Sequence, residues 1–130
     1  MNPLAAPHGP RTVLVVDDEP ALRALGRLTL QPEGYVVLEA ATPDEALRLA
    51  AELRTPLDLL LTDVDLPRMC GRDLADRLAA EHPGLRVLFT SGHDRGQLIR
   101  RGALPLDAVF LAKPFRVDAL SRKVREVLGE

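Results

Sequence analysis

Asp17, Asp18, Asp63, Ser91 and Lys113 are the residues whose types could do chemistry together, and each stands at or just past the end of a short apolar run. Residues 13–16 lead into Asp17-Asp18, 57–62 into Asp63, 87–89 into Thr90-Ser91, and 109–112 into Lys113-Pro114. Carboxylates crowded at one place raise each other's pKa unless a cation lies among them. A hard divalent ion resolves the repulsion, and Mg²⁺ takes one or two carboxylates along with waters and phosphate oxygens. A carboxylate beside it can attack phosphorus to give an aspartyl phosphate. The lysine and the hydroxyl would then serve the remaining phosphoryl oxygens.

These residues are scattered over most of the chain, so the elements between them must bring them to one edge. The run at 13–16 is continuous and β-branched, the pattern of a strand buried on both faces. Glu19-Pro20 opens a helix with a stripe of Leu22, Leu25, Leu28 and Leu30, ended by Pro32 and Gly34. Residues 35–40 form a second strand. Thr42-Pro43-Asp44-Glu45 then starts a helix, with a hydroxyl cap, proline at the first position and Glu at the capping-box position. Its buried face is Ala46, Leu47, Ala50, Ala51 and Leu53.

Residues 57–62 make the third strand, and the 63–71 loop leads to a helix marked by Leu74, Ala75, Leu78 and Ala79 and stopped by Pro83-Gly84. A fourth strand over 86–91, a short helix around 97–101, a fifth strand over 108–112 and a closing helix complete the chain. The closing stripe is Val117, Leu120, Val124, Val127 and Leu128. Strict β-α alternation with short connections calls for a parallel sheet with helices on both faces. In such a sheet the carboxyl ends of the strands share one edge, and ligands bind in the crevice there.

Bulk properties narrow the classes. A chain of 130 residues, 46% apolar and 28% charged, fits one domain, expected over residues 12–130 after a proline-broken tail at 1–11. The net charge of −2 offers no general drive toward nucleic acid or an anionic membrane. No apolar run reaches the length of a spanning helix, and the start lacks a signal-peptide layout. The single Cys70 excludes an internal disulfide and fits a reducing cytoplasm, the expected location. Fifteen cations are Arg and only Lys113 and Lys123 are Lys, so a lysine at a strand end suggests a need for a compact ammonium.

Asp17-Asp18-Glu19, Asp63 with Pro67 and Gly71, Ser91-Gly92 and Lys113-Pro114-Phe115 together resemble the receiver domain of two-component response regulators, over about residues 12–129. The resemblance implies a flavodoxin-like, doubly wound five-stranded parallel sheet of order 2-1-3-4-5 with five helices. It implies that a histidine kinase or histidine phosphotransfer protein donates phosphate to Asp63. Asp63 would be phosphoacceptor and Mg²⁺ ligand, Asp18 a direct ligand, Asp17 a ligand through water, and the Asp65 backbone carbonyl the last protein ligand. Ser91 and Lys113 would each meet a phosphoryl oxygen, and Phe110 would hold the aromatic switch position. The 113–114 bond is a candidate cis bond. Ser91 is chosen over Thr90 because Gly92 matches the small residue that follows the family's hydroxyl. Asp65 and His93 fall where the family tunes phosphorylation and hydrolysis rates.

Each motif alone has a plainer reading. Asp17-Asp18 suits a helix start, Ser91-Gly92 an ordinary turn, and His93 a solvated loop. Taken in order, they favour a receiver over a haloacid-dehalogenase-like phosphatase using Asp63 and Asp65, whose nucleophile pair opens the domain. They also disfavour a flavin module, since Asp17-Asp18-Glu19 would repel the FMN phosphate, and a pseudo-receiver that only docks a partner. The expected protein is a signalling switch rather than an enzyme, stand-alone or excised from a hybrid histidine kinase. It would be a monomer or a weak phosphorylation-dependent dimer, engaging a downstream protein through the last two helices. Arg100, Arg101, Arg122, Lys123 and Arg125 could make those helices basic.

Overall fold

The computed structural model describes residues 9–130; up to residue 8 the expected tail, with His8, lies outside the described residues. The elements are β1 (Thr12–Val16), α1 (Pro20–Leu30), β2 (Val36–Ala40), α2 (Pro43–Glu52), β3 (Leu59–Asp63), α3 (Gly71–Glu81), β4 (Arg86–Ser91), α4 (Arg95–Arg100), β5 (Val109–Ala112) and α5 (Val117–Leu128). All neighbouring strands pair in parallel, in the order β2-β1-β3-β4-β5. The flavodoxin-like expectation holds.

The central strands β1 and β3 are buried along their whole length. Side chains alternate across the sheet, so each of these strands feeds both faces. Leu14, Val16 and Leu60 join a core with Ala46, Leu74, Leu78 and Leu98 from α2, α3 and α4. Val13, Val15, Leu59 and Leu61 join the opposite core with Leu120, Val124 and Leu128 from α5 and Leu30 from α1. Gly26 lets α1 lie close on the sheet, because a Cβ there would stand 3.3 Å from Val15 Cγ2.

Local signals start and stop the helices as expected. Thr42 Oγ1 accepts from the Glu45 N–H at 3.2 Å, and Pro43 takes the first helical position of α2. The Glu45 carboxylate accepts from the Ala41 N–H at 2.7 Å, one residue before the cap. Pro32 lies in a 3-10 turn at Gln31–Glu33 that closes α1, and Gly34 takes φ 99° to leave it.

Several details differ from the sequence reading. Leu28 (63% exposed) and Val117 (51% exposed) face outward, as do Ala51 and Ala79. An apolar stripe read at helical period is wider than the face a sheet covers, and residues on its flank or at a helix end escape burial. β3 begins at Leu59 rather than 57; the Leu57 N–H goes to His82 Nδ1 at 3.4 Å instead of to a strand. β2 begins at Val36, β5 at Val109 and α4 at Arg95, each a shift of one or two residues of the kind expected where elements fray.

Candidate functional site

β1, β3, β4 and β5 end on one edge, with Asp17 following β1, Asp63 closing β3, Ser91 closing β4 and Lys113 following β5. Asp17 is buried, at 3% exposed, and the adjacent Asp18 is exposed. Carboxylate oxygens of Asp17, Asp18 and Asp63 all lie within 4.8 Å of one another. The cation among them is Lys113, whose Nζ donates to Asp17 Oδ2 at 2.9 Å and to Asp63 Oδ2 at 3.0 Å.

Burial pushes the Asp63 carboxyl above its ordinary value, more than the bond and charge of Lys113 pull it down. For Lys113, burial works against the ammonium, but the hydrogen bonds and charges of Asp17 and Asp63 outweigh it and hold the pKa up. Asp18 makes no hydrogen bond or ion pair among the described residues, so its oxygens are free to take a ligand. A set of hard carboxylate oxygens this close, with one of them unpartnered, fits a hard divalent cation such as Mg²⁺.

The loop after β3 folds back over the site. Asp63 Oδ1 accepts from the Asp65 N–H at 3.2 Å, and the Gly71 N–H donates to Val64 O at 2.7 Å. A Cβ at Gly71 would collide with the Asp63 carbonyl oxygen, so only glycine permits this approach of α3. Across the cleft, Ser91 is buried and its Oγ accepts from the His93 N–H at 2.9 Å. The Lys113–Pro114 bond is cis, as expected. The resulting cleft, of about 610 Å³, is bordered by Glu19, Asp63, Asp65, Ser91 and Lys113.

A sequence profile of the response regulator receiver domain matches residues 13–125. The chain belongs to that family. The receiver is 41% identical, over 92% of its length, to the sensor kinase CckA of Brucella abortus (strain 2308), and covers 13% of that protein. It is 34% identical, again over 92% of its length, to the probable transcriptional regulatory protein TcrX of Mycobacterium tuberculosis (strain ATCC 25618 / H37Rv), and covers 50% of it. It therefore spans half or less of these curated relatives.

Among solved structures, the receiver domain of the hybrid histidine kinase CckA superposes with a TM-score of 0.68 at 33% identity, covering 90% of this chain and 98% of that one. The chemotaxis response regulator CheY4 of Vibrio cholerae gives 0.77 at 29% identity, covering 92% and 99%. The receiver is thus a phosphorelay signalling domain. No helix among the described residues is long and apolar enough to cross a membrane.

The remaining expected residues lie around this edge. Phe110 is half-buried on β5, level with Phe89 of β4, against the core that holds Leu98 and Leu104. Thr90 points its hydroxyl at Thr62 O, 3.5 Å away, while Ser91 borders the cleft. Cys70 precedes α3 with a free thiol and no capping bond. The Asp65 carboxylate turns away from Asp63, to Arg101 at 3.2 Å and His93 at 3.6 Å.

Arg23 was not singled out by its type or spacing. Its guanidinium reaches back from the first turn of α1 to the Asp17 carbonyl oxygen at 2.6 Å. The Asp17 Oδ1 in turn accepts from the Glu19 N–H at 2.9 Å. An arginine six residues after an aspartate carries no recognisable pattern; only the sharp turn into α1 makes them neighbours.

The basic face expected on the last two helices is not borne by α5. Arg122 faces Asp118, Lys123 faces Glu126 and Arg125 faces Glu33, so these cations are met within the fold. Helical spacing sets acids three or four residues from the bases, and Glu33 of the 3-10 turn is brought in by tertiary packing.

Proposed function

We propose that this receiver takes a phosphoryl group onto Asp63 from the phosphohistidine of a histidine kinase or phosphotransfer protein, and changes shape in response. The observation that carries the reading is the convergence of Asp17, Asp18 and Asp63 within 4.8 Å beside Lys113. An Asp63 carboxylate oxygen attacks phosphorus, the phosphorus–nitrogen bond to the donor imidazole breaks, and its electron pair returns to the ring nitrogen. Lys113 meets the charge gathering on the phosphoryl oxygens, and Ser91 donates to another of them.

Asp17, Asp18, Asp63 and the Asp65 backbone carbonyl would hold Mg²⁺. Bound there, the ion supplies charge neutralisation for a carboxylate and a phosphoryl group that otherwise repel. Turning the Ser91 hydroxyl toward phosphate gives up its bond from the His93 N–H, which loosens the start of α4 and the packing around Phe110. That difference between states is what makes a switch. The output is binding of a downstream protein rather than turnover of a substrate. The receiver works in the cytoplasm, as a monomer or weak phosphorylation-dependent dimer, either alone or as part of a longer kinase or regulator.

Incubation with Mg²⁺ and acetyl phosphate, followed by intact-mass measurement, tests the proposal. A single phosphate adduct that disappears in Asp63→Ala is expected. No adduct would leave a docking module that never takes phosphate, and an adduct surviving in Asp63→Ala would place the acceptor elsewhere.

A further inference from the structure

Asp65 brings a further negative charge to the acceptor cleft. Its N–H donates to Asp63 Oδ1 at 3.2 Å, so its backbone is fixed against the acceptor, and the residue borders the cleft. The carboxylate nevertheless turns to Arg101, whose Nη2 donates to Asp65 Oδ1 at 3.2 Å. His93 Nε2 stands 3.6 Å from the other oxygen, beyond hydrogen-bond reach, so Arg101 is the residue that bonds this carboxylate.

The backbone that carries Arg101 is held in place. Arg101 caps α4, where its N–H donates to Gln97 O at 3.0 Å, and the chain leaves through Gly102 at φ 76°. Arg72 of α3 donates to the Gly102 carbonyl oxygen at 3.0 Å, which ties this end of α4 to the helix that follows the acceptor loop. At the other end of α4, Arg95 donates to the Ala108 and Leu106 carbonyl oxygens at 2.8 and 2.9 Å. The guanidinium therefore starts from a short helix fixed at both ends.

We propose that Arg101 is a positioning residue for phosphoryl transfer, holding the Asp65 carboxylate out of the acceptor cleft and its negative charge away from the incoming phosphoryl group. The inference rests on Asp63 being the acceptor. Arg101 itself bonds only the Asp65 carboxylate, which is not among the proposed metal-ligand oxygens. Without Arg101, rotation about the Asp65 Cα–Cβ bond carries the carboxylate over the cleft. There it repels a phosphate-bearing donor, yet adds an anionic oxygen near Asp18 and Asp63 for a divalent cation. Loss of Arg101 thus acts in opposite directions on the two ligands. Both partners are about half-exposed, so the effects are modest and fade with salt.

The test compares the unaltered chain, Arg101→Ala, Asp65→Asn and the double variant at low salt. It reads the rate of adduct formation from acetyl phosphate at saturating Mg²⁺, and Mg²⁺ affinity by calorimetry. Arg101→Ala is expected to slow the adduct about three- to tenfold and to tighten Mg²⁺ about twofold. In the Asp65→Asn background, Arg101→Ala should change neither. Arg100→Ala removes the same charge from the neighbouring exposed residue and should leave both unchanged. Weaker Mg²⁺ binding in Arg101→Ala would indicate general loosening and overturn the proposal. So would an effect that persists in Asp65→Asn, or one that Arg100→Ala reproduces. If the unaltered chain forms no adduct, the reading of Asp63 falls, and the Mg²⁺ titrations still decide whether Arg101 holds the Asp65 charge aside.

Discussion

Lys113 Nζ lies 3.0 Å from Asp63 Oδ2 although 50 positions separate the two residues in the chain. The same ammonium reaches Asp17 at 2.9 Å. It therefore holds together two carboxylates from different strand ends that would otherwise repel.

Removing that ammonium should cost stability. In Lys113→Met the buried Asp17 and Asp63 carboxylates lose their shared cation, at an expected loss of about 2–4 kcal/mol at neutral pH without metal. Mg²⁺ should recover part of it, because an ion bound only by the folded state stabilises that state. Urea unfolding with and without Mg²⁺ measures both effects. An unchanged midpoint in metal-free buffer would show that the bridge contributes nothing.

Gly71→Ala should be more damaging than its size suggests. The added methyl meets backbone at the Asp63 carbonyl, which cannot rotate aside as a side chain would. A loss of about 3 kcal/mol is expected, with slower adduct formation at the displaced Asp63. Gly84→Ala, where nothing lies within 4 Å, is the matched control.

Arg23→Ala should weaken Mg²⁺ binding by about tenfold while lowering stability by only about 1 kcal/mol. The guanidinium touches no proposed ligand oxygen; it steadies the Asp17 carbonyl from which the Asp17-Asp18 turn departs. Calorimetric Mg²⁺ titration and urea unfolding separate the two effects. Equal fractional losses in Arg23→Ala and in a distant helix variant would argue for a general loosening instead.

Tyr35 is the single tyrosine in a chain without tryptophan, so phenolate absorbance reads its hydroxyl alone. Burial, then the hydrogen bond and charge of Glu130, with a smaller push from Glu33, raise its pKa well above the ordinary 10.0. The folded state thus holds this proton more tightly than the unfolded chain does. Its contribution to stability is complete below about pH 10 and is lost as pH rises toward the folded value. Glu130→Gln should lower the titration midpoint without returning it to 10.0, because burial remains.

Much of the fold was legible because its signals are local. Thr42-Pro43 with Glu45 starts α2 where the capping pattern placed it, and β4 covers the expected residues 86–91. The misjudged positions share a cause. Leu28 and Val117 satisfy a helical period, but whether a flank is covered depends on which element packs beside it, and helical period alone does not say.

The site divides along the same line. Sequence alone determined that Asp17, Asp18, Asp63, Ser91 and Lys113 stand at or just past strand ends, and parallel β-α alternation sends those ends to one edge. Only the tertiary structure decided that Asp17 is buried against Lys113 while Asp18 stays open, that Arg23 props the turn, and that Asp65 leans away onto Arg101. Apolar period and turn residues act over a few neighbouring positions. Ion pairs and hydrogen bonds are set by ångström distances between residues that only the packed chain brings together.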